Sequence, residues 1–92
     1  MIQDFYDRDT ERLFQGQVVK KWNSFAHQAL KRLLILDAAD TLQALAMLPG
    51  NHLEKLKGDR RGQHSIRIND QWRVCFIWRK DGAHRVEITD YH

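Results

Sequence analysis

Residues 63–90 read QHSIRINDQWRVCFIWRKDGAHRVEITD. Successive side chains of an extended strand point to opposite faces, and this stretch alternates in character with that period. The even positions Ile66, Ile68, Trp72, Val74, Phe76, Trp78, Val86 and Ile88 are apolar. The odd positions Gln63, Ser65, Arg67, Arg73, Arg79, Arg85, Glu87 and Thr89 are polar, and Tyr91 continues their row. The pattern predicts an antiparallel sheet with one face packed on a core and the other open to solvent. Strands are expected over 63–68, 72–79 and about 84–90. Asn69-Asp70-Gln71 supplies the first turn, and Asp81-Gly82 favours a tight type I′ hairpin at the second. Shorter extended pieces are expected at 53–56 and, on a sheet edge, at 2–6. The open face would gather Arg67, Arg73, Arg79 and Arg85.

Upstream the period changes. A short helix is expected from Asp7 to Phe14, closed near Gly16. From Val18 to Leu36 the apolar residues Val18, Trp22, Phe25, Ala29, Leu33 and Leu36 fall three or four apart, which predicts one amphipathic helix. Lys20, Lys21, Lys31 and Arg32 lie on its opposite face. Asp37, three residues before Asp40, is the expected N-cap of a third helix, with Leu42, Leu45 and Met47 or Leu48 buried and Pro49-Gly50 as its stop. N-terminal helices on one face of a C-terminal antiparallel sheet make an α+β sandwich, a single domain over residues 1–92.

Composition narrows the function classes. The chain has 92 residues, 42% hydrophobic and 29% charged, which is globular rather than disordered or fibrous. A mean hydropathy of −0.63 and the lack of a long apolar run argue against a membrane-spanning helix. The start, Met1-Ile2-Gln3-Asp4, does not resemble a signal peptide. A lone cysteine, Cys75, excludes an internal disulfide framework and suits a reducing compartment. Residues 1–51 balance six basic against six acidic side chains, whereas residues 52–92 carry nine against six and so hold the whole net charge of +3. A basic excess confined to one half fits either a polyanion-binding surface or a plain solvated one.

No pattern for a metal or cofactor stands out. His27, His52, His64, His84 and His92 lack a paired spacing, and there is no phosphate-binding glycine loop. Cys75, mid-strand among apolar neighbours, reads as a small hydrophobe. What remains is a distributed set: Lys57 in a Leu-Lys-Gly-Asp turn, Arg73 beside Trp72, and Asp90-Tyr91-His92. Taken singly, Lys57 could be a solvated turn lysine, Arg73 could pair with Glu87, and the tail could be frayed. Together they suit RNA cleavage without metal, which needs proton transfer at the 2′- and 5′-oxygens and cations at the phosphorus.

The run Leu56-Lys57-Gly58-Asp59-Arg60, the hairpin Asn69-Asp70-Gln71-Trp72-Arg73 and the end Asp90-Tyr91-His92 together resemble the HigB toxins of the RelE/ParE superfamily. The resemblance implies a compact microbial-RNase-like sandwich and a cytoplasmic, ribosome-dependent endoribonuclease that cuts mRNA in the A site. It implies a HigA-type helix-turn-helix antitoxin as partner, with operator DNA bound only through that complex, and the ribosome with its 16S rRNA and mRNA as target. Carried over by motif, Lys57, Arg73, Asp90, Tyr91 and His92 would form the active site. Arg67, Lys20, Lys21, Lys31 and Arg32 would meet RNA or the ribosome through phosphate charge. Some relatives place a histidine just before Leu-Lys-Gly. Glu54-Lys55 stands there instead, so that the role is either lost or filled by Glu54, or less readily by His52. Two other readings share the fold: a ParE-like gyrase poison and a non-catalytic RNA-binding relative.

Overall fold

In the computed structural model, which describes residues 1–91, the sheet takes the antiparallel order β1-β2-β3-β4. Its strands are β1 (Glu54–Lys55), β2 (His64–Arg67), β3 (Arg73–Arg79) and β4 (Gly82–Thr89). Helices α1 (Arg8–Phe14), α2 (Ala26–Ala38) and α3 (Leu42–Ala46) precede it. Leu13 of α1 and Ala29, Leu33 and Leu36 of α2 share one buried core with Ile66, Ile68, Val74, Phe76, Val86 and Ile88. Every one of those sheet residues is even-numbered. The α+β sandwich follows directly from the alternation.

The turn between β2 and β3 is built by Asn69, whose side-chain oxygen accepts from the N–H groups of Gln71 (2.8 Å) and Trp72 (2.7 Å). Trp72 then stacks on Phe25 at 5.0 Å and meets the edge of Trp22 at 6.5 Å, tying the sheet to the chain ahead of α2. The hairpin between β3 and β4 is not type I′, which needs positive φ at both central residues. Lys80 and Asp81 do not have it, and Gly82 carries the positive angle instead, at φ +132. A side chain at Gly82 would also run into the Met1 carbonyl.

The expected helix from Val18 to Leu36 is corrected at its start. β-Branched Val18 and Val19 and the pair Asn23-Ser24 disfavour helix. Val19 is extended, Lys20–Trp22 form a single 3-10 turn, and α2 begins only at Ala26. Trp22 and Phe25 are buried all the same. Asp37 does not cap a third helix, because α2 runs past it to Ala38. Its carboxylate accepts instead from the Ile2 N–H at 2.8 Å. Thr41 is the cap of α3, accepting from the Ala44 N–H at 3.0 Å. Leu45 is buried, whereas Met47 and Leu48 are exposed.

Residues 2–6 do follow the sheet edge, as two isolated parallel bridges to β4 rather than a full strand. Gln3 donates to the Ala83 carbonyl (2.7 Å) and Tyr6 to that of Val86 (2.9 Å). His84 reaches Asp4 at 3.0 Å and Asp81 at 2.6 Å, clamping this segment to the hairpin. Those carboxylates, Asp81 first, raise the His84 pKa. Farther along the same edge, the Ile88 N–H donates to the buried hydroxyl of Thr10 at 3.1 Å. Thr10 in turn donates to Asp7, the N-cap of α1, at 2.6 Å. Thr10→Val keeps the shape but leaves a buried donor unpaired, so it should cost about 1–3 kcal/mol. A urea unfolding midpoint equal to that of the native chain would contradict this.

Candidate active site

The odd face is neither uniformly open nor uniformly arginine-lined. Between Cys75 and Ile77 of β3 the opposite strand spends one extra residue, a bulge with Arg85 at φ +52. The register shift turns Ala83 into the core and takes Arg85 out of the arginine row. Its guanidinium lies over the Tyr6 ring at 5.2 Å, on the outer edge. Arg79, at the hairpin end, lines none of the clefts described below.

What covers the rest of this face arrives from the loop between β1 and β2. Leu56 anchors that loop, buried and donating its N–H to the Gln63 carbonyl at 2.9 Å. Gly58, at φ +63, turns the chain after Lys57 into a 3-10 turn ending at Arg60. The Arg60 guanidinium pairs with Glu87 at 2.9 Å, donates to Gln63 at 3.1 Å and lies 5.7 Å from the Tyr91 ring centre. Glu87 is the carboxylate with which Arg73 could have paired. Arg60 holds it instead.

Tyr91 sits at the middle. Its phenol donates to Glu54 at 3.1 Å and lies 3.1 Å from the Ser65 hydroxyl. Burial raises the phenol pKa and the Glu54 carboxylate adds to the rise, against a lowering from Ser65. Two clefts meet across this Tyr91–Glu54 bond. Lys55, Lys57 and Arg60 line one, and His52, Ser65, Arg67 and Arg73 line the other.

Arg67 and Arg73 are direct cross-strand neighbours. Like charges so placed repel, and each is drawn to the turn: Arg67 ion-pairs with Asp70, and Arg73 donates to the Asn69 and Trp72 carbonyls. An anion between them would relieve that repulsion. Asp90 accepts from Gln71 at 2.9 Å, beside the same turn. His92 lies outside the described residues. Lys57, Arg67, Arg73 and Tyr91 are thus gathered around the two clefts, whereas Asp90 lies by the turn and lines neither.

The other basic residues lie elsewhere. Lys21 pairs with Asp9 at 2.8 Å and covers the Trp22 ring, on the 3-10 turn it shares with Lys20. Lys31 is exposed on α2, while half-buried Arg32 donates to the buried Asn51 at 2.7 Å. They do not form one helix face, and none lines either cleft. Arg60 and Ser65 were missed from sequence: the partner of the first is 27 residues away, and parity alone marked the second as solvent-facing. Among the described residues no group of three or more His, Cys, Asp or Glu side chains could hold a metal ion.

Comparison with known proteins agrees with this architecture. The family model described as RelE-like toxin of type II toxin-antitoxin system HigB matches residues 3–92. Toxin HigB-1 of Vibrio cholerae serotype O1 is 34% identical over 80 residues, covering 85% of this chain and 84% of the relative. A chain in the solved structure of a YoeB–YefM complex from Staphylococcus aureus superposes with a TM-score of 0.62. It is 17% identical, with 100% of this chain and 98% of that one covered, and so speaks for the fold alone. Fold and family match define a RelE-like toxin of a type II toxin–antitoxin system. Within that class the chain belongs to the HigB family.

Cys75 lies beneath the site, fully buried, and burial pushes its thiol up to about 12. Only the thiolate reacts with disulfide reagents. The native protein should therefore resist labelling until it unfolds, and rapid labelling without denaturant would show that the face over Cys75 is open.

Proposed function

We propose that the protein is a ribosome-dependent endoribonuclease that cuts mRNA in the ribosomal A site and so stops translation. The observation that carries this reading is the hydrogen-bonded Tyr91–Glu54 pair set between two cationic clefts. Cleavage would proceed by attack of the 2′-oxygen on the adjacent phosphorus, with the bond to the 5′-oxygen breaking. Arg73 and Lys57 oppose the charge that grows on the phosphoryl oxygens. Glu54, bonded to the Tyr91 phenol, is proposed as the base for the 2′-hydroxyl proton. Tyr91, a phenol in which burial disfavours the charged form, is proposed to give its proton to the departing 5′-oxygen. Asp90 and His92 are assigned to the same proton transfers, as the family motif implies. The protein's own side chains suffice for this chemistry, with no cofactor.

Such a small site needs its substrate held in place, and the ribosome supplies that positioning. Lys20, Lys21, Lys31 and Arg32 are proposed to meet ribosomal RNA, and Arg67 the message, by phosphate charge. The toxin acts in the cytoplasm and is held inactive by a HigA-type helix-turn-helix antitoxin. Operator DNA is reached only through that complex. The chain of the same fold solved as part of a YoeB–YefM complex is in keeping with a protein partner.

Ribosomes programmed with a defined message should yield cuts in the A-site codon, ending in a 2′,3′-cyclic phosphate and a 5′-hydroxyl. Naked message should be cut poorly. Arg73→Ala should lower the rate by about 10²–10³-fold with an unchanged circular dichroism spectrum. A 5′-phosphate product would point to attack by water and overturn the mechanism. Growth arrest with DNA damage and intact mRNA would favour a gyrase poison.

A further inference from the structure

Tyr91 lies two residues beyond the last residue of β4. Its place over the sheet is therefore not set by the strand ladder, and side-chain contacts contribute to it. Arg60 is built to provide one. Its guanidinium is fixed by Glu87 at 2.9 Å and by Gln63 at 3.1 Å, and it is itself half-buried. From that anchorage it reaches the Tyr91 ring at 5.7 Å, while the phenol end is held by Glu54 and Ser65. A cation over an aromatic ring is attractive, and attraction grows where water is excluded. The Glu87 carboxylate sits on the middle of the same face, paired with Cys75 across the strands. Left without Arg60 it would place a bare negative charge close to a site meant for phosphate.

We infer that Arg60 is a positioning residue: locked to Glu87, it holds the Tyr91 ring so that the phenol meets Glu54 at the junction of the two clefts. It acts through Tyr91, not on the RNA. This rests on the ribonuclease reading for its kinetic consequence, and on geometry alone for the placement of Tyr91.

The test separates the two. The chain has two tyrosines, so 3-fluorotyrosine labelling gives two fluorine resonances, with Tyr6 as internal reference. In Arg60→Met the Tyr91 resonance should move towards the free-residue position and sharpen, while that of Tyr6 stays put. Single-turnover cleavage on saturating programmed ribosomes should fall by about 10²-fold, the loss expected of a displaced catalytic group, with half-saturation unchanged. In a Tyr91→Phe background, where the phenol is already gone, Arg60→Met should cost nothing further. Arg60→Lys keeps a charge for Glu87 but has no planar face; it should fold yet fail to restore the Tyr91 resonance or the rate. It carries the test alone if Arg60→Met does not fold. An unmoved Tyr91 resonance, full additivity of the two losses, or complete rescue by lysine would each overturn the inference. Wild-type protein that cuts no mRNA would sink the ribonuclease reading and leave the fluorine result to decide the positioning.

Discussion

Both edges of β4 have to be paired for the rest of the molecule to take shape. One edge lies along β3, and the other is occupied by the carbonyls and amides of residues 1–6 and then by the Thr10 hydroxyl. A sheet edge left bare would expose unpaired donors and acceptors and invite other strands. Here the covering segment leads straight into α1, so closing the edge also docks the first helix. The strand that carries Asp90 and Tyr91 at its end is thus held along both sides, by β3 and by the opening residues of the chain.

The two faces of the sheet do different physical work. On the even face, helices remove apolar surface from water, the main favourable term in folding. On the odd face, charges are brought closer than an unstructured surface would hold them. Arg67 and Arg73 face each other across adjacent strands, and Lys57 and Arg60 stand in the loop above. Among the described residues, Arg60 is the one of these four tied to a carboxylate of the sheet itself, Glu87. The stability lost by crowding cations is regained when a polyanion enters. That suits the face to the phosphate-binding role proposed for it.

How much of this could be read from residues alone divides along a physical line. Period-two alternation reports burial on one face, so it located β2, β3 and β4 and named their core side chains. It is blind to one extra residue, and the bulge at Arg85 removed that arginine from the face to which parity had assigned it. Helical spacing likewise found Trp22 and Phe25 as core residues, but it could not see that Val18-Val19 and Asn23-Ser24 keep the backbone out of a helix until Ala26. Asp37 looked like a cap because local pattern cannot show a partner as distant as Ile2. Arg60 was hidden for the same reason, since both Glu87 and Tyr91 come to it through the tertiary fold. Lys57, Arg73 and Tyr91 were legible as a set from their chemistry and from the family motif, but their meeting around Glu54 needed the structure.

On the proposed reading, message RNA meets the odd face at the junction of the Lys57/Arg60 and Arg67/Arg73 clefts. A structure of the protein on a ribosome carrying an A-site message blocked at the 2′-oxygen would show this directly. The scissile phosphate should lie within hydrogen-bond reach of Arg73, with the Tyr91–Glu54 pair beside the blocked oxygen. Message bound against α2 and α3, with the odd face turned to solvent, would contradict it.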